Sequence, residues 1–190
     1  IWSKWVILMS NETLRTIVQR RSVTKFLPSE IDEKILDQIL EAGRWAPSWI
    51  NVQPWNFIVI TDKDLKRRIG EIGSRKTAFA KGRWMEDAAA IIIVIVNPDL
   101  DPYHYVEDAA IAAQNMALAA YSMGYGSYYL GIYENKKETD TTEDEIKKLL
   151  QIPQKMRVIV ILPIGIPETT KKSSRTVLKE IVHYNKYGQT

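Results

Sequence analysis

The most restrictive feature of the sequence is the apolar run at residues 88–96, where Ala, Ile and Val follow one another without a polar residue. A strand with one solvated face would alternate apolar and polar residues, so this run predicts a strand that is covered on both faces. Residues 156–164 predict a second buried strand, and the Ala-rich stretch at 106–123 predicts a long, largely buried helix. The sequence therefore predicts a sheet with helices packed against it.

Shorter elements are predicted around these three. Helices are expected after Asn11 or Ser10, after a capping box of Ser29 and Asp32, and after Asp62. Strands are expected at residues 22–28, 56–61 and 124–131, and a short exposed helix at 143–150. Because strands and helices do not strictly alternate, the order is typical of an α+β layered domain.

The length of 190 residues predicts one domain with its own hydrophobic core. We expect this domain to span residues 9–190, with the functional chain beginning near Met9. Residues 1–8 are apolar but too short to span a membrane, and they are predicted to be a non-native or extended start. The alternative is an arm that packs on a partner subunit.

Composition excludes several classes of function. Lys and Arg number 26 against 23 Asp and Glu, and the basic residues are scattered, so we expect no nucleic-acid partner. The absence of cysteine excludes disulfides, thiolate catalysis and cysteine-ligated metals, and it fits a cytoplasmic protein. His104 and His183 are the only histidines, so a metal site is not predicted.

Residues 46–57 form an unusual segment, with two prolines, two tryptophans and four uncharged hydrogen-bonding side chains. Pro47 and Pro54 prevent a continuous helix, so the segment is predicted to be a rigid loop that presents Ser48, Asn51 and Gln53. Such a loop suits a planar ligand with polar edges. The alternative is a structural connection whose tryptophans fill the core.

Two basic clusters are candidates for binding a phosphate. Arg20, Arg21 and Ser22 follow the first predicted helix, and residues 172–175 form a similar set near the C-terminus. Guanidinium groups bind phosphate with two hydrogen bonds, and hydroxyl groups complete the shell. The alternative for each cluster is a solvated charged surface.

Other nucleotide-binding motifs are missing. No glycine-rich phosphate loop with Lys-Ser or Lys-Thr is present, and no Gly-x-Ser-x-Gly motif. Gly124, Gly126 and Gly131 follow a predicted helix and lead into a strand, which is the reverse of the dinucleotide-binding order. We interpret these glycines as positions of close packing against backbone or a flat group.

The sequence resembles the nitroreductase family of FMN enzymes. The resemblance rests on RRSVTKF at 20–26, APSWINVQPWNFIVI at 46–60, GYGSYYLG at 124–131 and SSRTVLKEIVHYNKYG at 173–188. It implies a mixed central β-sheet flanked by helices, in an intertwined homodimer that holds FMN at each of two subunit interfaces. It also implies a ping-pong reaction that takes hydride from NADH or NADPH and reduces a small electron-poor acceptor such as a nitroaromatic or a quinone.

The resemblance assigns cofactor-binding roles by position. Arg20, Arg21, Ser22, Ser173 and Arg175 would hold the FMN phosphate. The residues implied along or near the flavin ring are Pro47, Ser48, Asn51, Gln53, Leu130 and Gly131, with Ser48 and Asn51 contributed by the other subunit. No catalytic side chain is implied, since the flavin carries the redox chemistry.

One position departs from the family pattern. The family commonly has Arg or Lys two residues after the serine of its first motif, whereas this chain has Thr24 there and Lys25 one residue later. Either Thr24 makes a neutral hydrogen bond to the flavin, or a cation from residues 75–83 supplies the charge. We favour the second interpretation. Tyr103, His104 and Tyr105 are interpreted as an aromatic surface turn, with a role over the flavin as the alternative.

Two other functions fit the same residues. One is a specialised relative of the same fold, such as a dehalogenase, a flavin-fragmenting enzyme or a ring-modifying dehydrogenase. The other is a flavin-binding module without catalysis. Turnover of NAD(P)H with a nitro compound or quinone separates the first from a nitroreductase, and failure of NAD(P)H to reduce a bound flavin identifies the second.

Overall fold

The computed structural model describes residues 11–76, 84–132, 141–170 and 173–189. Residues 1–8, predicted to be a non-native or extended start, lie outside this set. The helices are α1 (Glu12–Gln19), α2 (Glu33–Arg44), α3 (Lys63–Gly73), α4 (Tyr105–Ser122) and α5 (Thr142–Leu150). The strands are β1 (Phe26–Leu27), β2 (Trp55–Ile60), β3 (Ala90–Val96), β4 (Gly126–Ser127), β5 (Leu130–Gly131) and β6 (Arg157–Pro167).

The sheet is built around β6 and β3. Its order is β1-β6-β3-β2, and β4 and β5 also pair with β6, on the edge away from β3. These ladders are antiparallel, and a parallel bridge between Ser22 and Ser127 makes the pairing mixed. The strand predicted at residues 124–131 is therefore two short strands, since Tyr128 and Tyr129 between them lie outside both.

The central strand β3 is buried on both faces, as predicted. Ile92, Val94 and Val96 pack with α2 and α4, whereas Ile91 and Ile93 pack against the opposite face of the sheet together with residues of α3 and α5. All seven residues of β3 are buried. The buried central helix predicted from the Ala-rich stretch is α4, whose small side chains allow close packing on the sheet.

The packing of α4 against α2 requires a glycine. A Cβ on Gly43 would lie 2.8 Å from Cγ of Met116, closer than side chains approach one another. Gly43 therefore allows α2 to lie close to α4, and α2 leads directly into the proline-containing loop. The loop therefore follows directly from a helix that packs closely on α4.

Two local predictions are wrong. Ser29 does not cap α2: Asp32 is the N-cap and accepts a hydrogen bond from the Lys34 amide, because its own carboxylate reaches the first turn. Helix α5 is not an exposed helix, since Glu143 and Lys147 on it are buried with Ile146. Their charges are compensated by partners inside the protein, whereas charged residues in a sequence ordinarily indicate an exposed helix.

Within the described ranges, no helix is both long enough and apolar enough to cross a membrane. The same residues contain no group of three or more His, Asp or Glu side chains arranged to hold a metal ion.

Candidate functional site

The edge of β6 away from β3 brings together two of the segments singled out from the sequence. Ser127 pairs with Ile164 and is bridged to Ser22, whereas Gly131 pairs with Val160. Four residues of strand separate these two points, which corresponds to about 13 Å. The edge therefore carries the basic segment at one end and the glycine at the other.

The positive charges of Arg20 and Arg175 are close enough to repel each other at the basic end of this edge. Burial lowers the pKa of Arg20, and so do the nearby positive charges of Arg175 and Arg21. In the part of the chain that the structure describes, no carboxylate forms an ion pair with Arg20. Three guanidinium groups that repel one another around a half-buried position form a site suited to an anion.

The Arg21 guanidinium is hydrogen-bonded to backbone beside Arg20. Its Nη1 donates to the carbonyl oxygens of Val18, at 2.6 Å, and of Arg20, at 2.8 Å. Arg21 also lines a pocket of about 300 Å³ together with Arg15 and Tyr121. The Arg21 guanidinium thus lies against the backbone of Arg20 and also lines a pocket whose lining does not include the Arg20 side chain.

Ser173 and Thr24 lie close to the same basic end. The Ser173 hydroxyl accepts a hydrogen bond from Nη1 of Arg175 at 2.9 Å, which holds that guanidinium. Thr24 is half-buried, whereas Lys25 is exposed and its Nζ lies 3.9 Å from the Glu168 carboxylate. Because the cation is at position 25 and not at position 24, its charge lies beside Glu168, in the segment that follows β6.

At the other end of the edge, Leu130 and Gly131 face opposite ways. Leu130 is buried in the core against Gly73, and Gly131 is exposed. Among the described residues, a Cβ on Gly131 would have only Cε1 of Tyr129 within 4 Å, at 3.8 Å. Burial raises the pKa of the Tyr129 phenol, which keeps it neutral. The surface at Gly131 is open to a flat group.

The proline-containing loop is internally hydrogen-bonded. The Ser48 hydroxyl accepts from the Gln53 amide at 3.0 Å, and Nε2 of Gln53 donates to the Asn51 carbonyl at 3.3 Å. Ile50, Asn51 and Gln53 have φ values of 39°, 61° and 51°, in the left-handed region that non-glycine residues rarely adopt. A loop in this conformation is held by its surroundings.

Tryptophans at the two ends of the loop differ in role. Trp55 is buried in the core, and Pro54 beside it is also buried. Trp49 is partly exposed, and its ring lies 5.7 Å from Tyr103 and 5.8 Å from His104. The turn before α4 is therefore in contact with the loop.

Asp108, a buried acid near Asp101, is hydrogen-bonded to the loop, and neither acid was predicted from the sequence as a site residue. The Trp49 amide donates to Oδ1 of Asp108 at 3.2 Å, across 59 residues of sequence. Burial, together with the neighbouring Asp101, raises the pKa of Asp108 to about 6, although the Trp49 amide partly offsets this. Two acidic residues seven positions apart were the only signal, and acidic residues are ordinarily exposed.

The loop and the β6 edge lie on opposite sides of one chain. The loop precedes β2, the edge strand at the other side of the sheet, and three strand spacings, about 14 Å, separate β2 from β5. The loop contacts Asp108 near one end of α4, and Gln19, next to Arg20, contacts Tyr121 near the other, about 20 Å away. The structure of one chain therefore does not bring Ser48 and Asn51 to the arginines.

The cation expected from residues 75–83 is only partly described. Arg75 makes two hydrogen bonds of 2.7 Å with Glu145, and this pair raises the pKa of Arg75, so its charge is compensated there. Lys81 and Arg83 lie outside the described residues.

Comparisons with known proteins agree with the fold. The family model described as Nitroreductase family matches residues 17–166. An Archaeoglobus fulgidus protein named "Putative NADH dehydrogenase/NAD(P)H nitroreductase" is 33% identical over 163 residues, which cover 84% of this chain and 88% of that protein. A Bacillus subtilis protein named FMN reductase (NADPH) is 25% identical and is matched over 94% of this chain and 75% of its own length.

A solved structure agrees equally well. The FMN-dependent nitroreductase from Clostridium difficile is 27% identical to this chain and superposes with a TM-score of 0.80, covering 90% of this chain and 98% of that one. The chain belongs to the nitroreductase family, and the expectation drawn from its four motifs is confirmed.

Proposed function

We propose that the protein is an FMN-dependent enzyme that takes hydride from NADH or NADPH and reduces an electron-poor acceptor, such as a nitroaromatic or a quinone, by a ping-pong route. The observation that carries the proposal is that Arg20, half-buried and repelled by the charge of Arg175, has no ion-paired carboxylate among the described residues. A cytoplasmic location stays a prediction from the cysteine-free sequence.

The residues at the β6 edge fit FMN. Arg20 and Arg175 supply bidentate donors for a phosphate, with hydroxyls from Ser22 and Ser173 beside them. Gly131, about 13 Å along the edge, leaves open space where a ring can approach the backbone. Bound there, FMN would supply two-electron chemistry; this chain would bind it, leave one face accessible and present N–H groups to its polar edge.

The homodimer is part of the proposal because the residues proposed to bind FMN lie in two separated groups on one chain. The loop with Pro47, Ser48, Asn51 and Gln53 lies on the opposite side of the sheet from Arg20. A two-fold partner brings the second half to the first, and each interface then contains one complete site.

Uncovered apolar surface supports such a partner. Helix α1 has no buried residue, although one of its faces is apolar. The segment after β6 is almost entirely exposed. Large apolar side chains exposed on these and nearby elements are Leu14, Ile17, Val18, Trp45, Ile111, Val177, Leu178, Ile181, Tyr184 and Tyr187. Exposed apolar surface of this extent is typical of an obligate interface.

A subunit-complementation experiment tests the shared site. Chains with Arg20→Ala and chains with Asn51→Ala are each expected to bind FMN weakly as homodimers. Co-expressed with different affinity tags and isolated as a heterodimer, they are expected to regain one full-affinity site per dimer, because one interface then contains both native residues. Calorimetric titration with FMN measures the stoichiometry. No high-affinity site in the heterodimer would show that both residues act within one chain.

A further inference from the structure

A pocket of about 300 Å³ lies between α1 and the last turn of α4, and the proposed function does not use it. Its volume is at the lower end of the range for pockets that bind small molecules. Its polar and aromatic lining includes Arg15, Thr16, Arg21, Tyr121, Tyr125 and Thr170. The pocket therefore combines positive charge with hydroxyl groups and aromatic rings.

Helix α1 turns polar side chains towards this pocket. Arg15, Thr16 and Gln19 recur at the spacing of one helix face, and the first two line the pocket. The Tyr121 hydroxyl on α4 donates to Oε1 of Gln19 at 3.3 Å, which holds this face against α4. None of the apolar residues of α1 lines the pocket. Since a surface helix ordinarily turns its apolar face inward, this reversed orientation leaves a polar cavity inside one chain.

Arg21 lines the pocket because successive side chains of an extended segment face opposite ways. The Val23 amide donates to the Ser127 carbonyl at 2.9 Å, and Ser22 is bridged to Ser127, so the segment runs extended beside β4. Arg21 and Val23, two residues apart, line the pocket, whereas Ser22 between them does not. The pocket is therefore on the opposite side of this segment from the hydroxyl proposed to contact the FMN phosphate.

The charges around the pocket favour an anion. In the part of the chain that the structure describes, no carboxylate lies within ion-pair distance of Arg21. Arg15 has one such neighbour, the carboxylate of Glu12, at 4.0 Å, and the two side chains are 47% and 82% exposed. An ion pair this long and this exposed contributes little, so the charge of Arg15 is available to a ligand.

We propose that Arg15 and Arg21 form a second anion site, which binds the phosphate group of a small molecule separately from FMN. Guanidinium groups with hydroxyl groups beside them are suited to phosphate, and the hydroxyls here belong to Thr16 and Thr170. The rings of Tyr121 and Tyr125 add apolar surface for whatever group carries the phosphate. The site does not depend on the proposed function, since none of its contacts involves flavin.

An NMR titration of the full chain labelled with ¹⁵N-arginine tests the site. The protein is first saturated with FMN and freed of excess, so that the flavin phosphate occupies its own site, and inorganic phosphate is then added at constant ionic strength. Arg15→Gln and Arg21→Gln assign the two Nε–H signals. We expect both signals to shift with one common dissociation constant, and the signal of Arg68, exposed on α3, to stay in place.

Substitutions on α1 separate charge from structure. Arg15→Gln is expected to weaken phosphate binding about tenfold, as measured at the Arg21 signal, because a charge-assisted hydrogen bond is lost. Glu12→Gln is expected to tighten it about twofold, since Glu12 also lines the pocket and its negative charge opposes the ligand. Thr13→Val is the matched control, because Thr13 is on the same helix but does not line this pocket, and it is expected to change nothing.

Three outcomes overturn the proposal. They are the absence of a phosphate-dependent shift at Arg15 and Arg21, an equal shift at Arg68, and a change in the same direction from Arg15→Gln and Glu12→Gln, which would report helix stability and not charge. If the chain binds no FMN, the proposed function fails. The same titration of the Arg20→Ala chain, in which the other basic site is disabled, then tests the pocket.

Adenosine 5′-monophosphate distinguishes the two sources of the phosphate group. Tighter binding than that of inorganic phosphate, measured at the same two signals, would identify the ligand as a nucleotide, and equal binding would identify it as free phosphate. Both results require the anion site. Adenosine that binds as tightly as its monophosphate would contradict the site, because the guanidinium groups would then contribute nothing.

Discussion

Replacing Arg20 with alanine is expected to weaken FMN binding by about 100-fold while leaving riboflavin binding within about twofold. A charge-assisted hydrogen bond contributes about 1.5–3 kcal/mol, and riboflavin lacks the phosphate that Arg20 would bind. Arg175→Ala is expected to act in the same direction. Because Arg175 is exposed and its charge disfavours that of Arg20, its removal is not expected to destabilise the unliganded protein. Fluorescence titration with the two flavins measures both affinities.

Arg68→Ala is the matched control, since Arg68 is exposed on α3 away from the β6 edge. It is expected to leave both flavin affinities unchanged. An equal loss of FMN and riboflavin binding in Arg20→Ala would mean that Arg20 supports the fold or the ring site and does not bind the phosphate.

The largest expected effect on stability is at Glu143. This buried carboxylate accepts from Nε and Nη2 of Arg157, each at 2.8 Å, from Nζ of Lys147 at 3.0 Å and from the Val158 amide at 3.1 Å. Glu143→Ala leaves two buried cations without their anion and is expected to lower the free energy of unfolding by about 3–5 kcal/mol. Urea denaturation measures the change. Because the free energy of unfolding of a typical domain is only about 5–15 kcal/mol, the variant is expected to be partly unfolded at 37 °C.

Glu145→Ala provides a control on the same helix. Glu145 pairs with Arg75 at the surface, and an exposed ion pair contributes about 0–1 kcal/mol. The hydrogen bonds of Glu143 lower its pKa despite its burial, so its contribution is present above the ordinary carboxylate range and is lost as pH falls below it. A Glu143→Ala variant no less stable than Glu145→Ala would contradict the account of this buried network.

Local patterns in the sequence predicted the layered architecture well. The apolar run in β3 has no alternation because its odd and even residues face two different cores, and this is visible in the sequence itself. The Asp62 carboxylate caps its helix by accepting a hydrogen bond from the Leu65 amide, and the two residues are only three positions apart. Features that depend on neighbouring residues along the chain were thus accessible without a structure.

Long-range pairings were not accessible in the same way. The charged residues of helix α5 are typical of a solvent-exposed helix. The contact of Glu143 with Arg157 on β6 explains why Glu143 is buried. Asp108 was not predicted as a site residue because its partner, the Trp49 amide, lies 59 residues away and is a backbone group. The separation of Ser22 and Gly131 from the proline-containing loop follows from the strand order, which spacing along the sequence does not encode.

The site residues inferred from the family resemblance stay predictions. The structure places Ser22, Gly131 and Arg20 along one edge, and Ser48 and Asn51 on the far side of the sheet. This distribution is what a site shared between two subunits requires.

The absorbance spectrum of the purified protein, recorded anaerobically before and after NADH or NADPH is added, tests the central claim most directly. Saturated with FMN and freed of excess, the protein is expected to show bound-flavin absorbance that either nucleotide bleaches and that a quinone or nitroaromatic then restores. Protein that retains no FMN, or whose bound FMN neither nucleotide reduces, would contradict the claim that this chain is an FMN-dependent oxidoreductase.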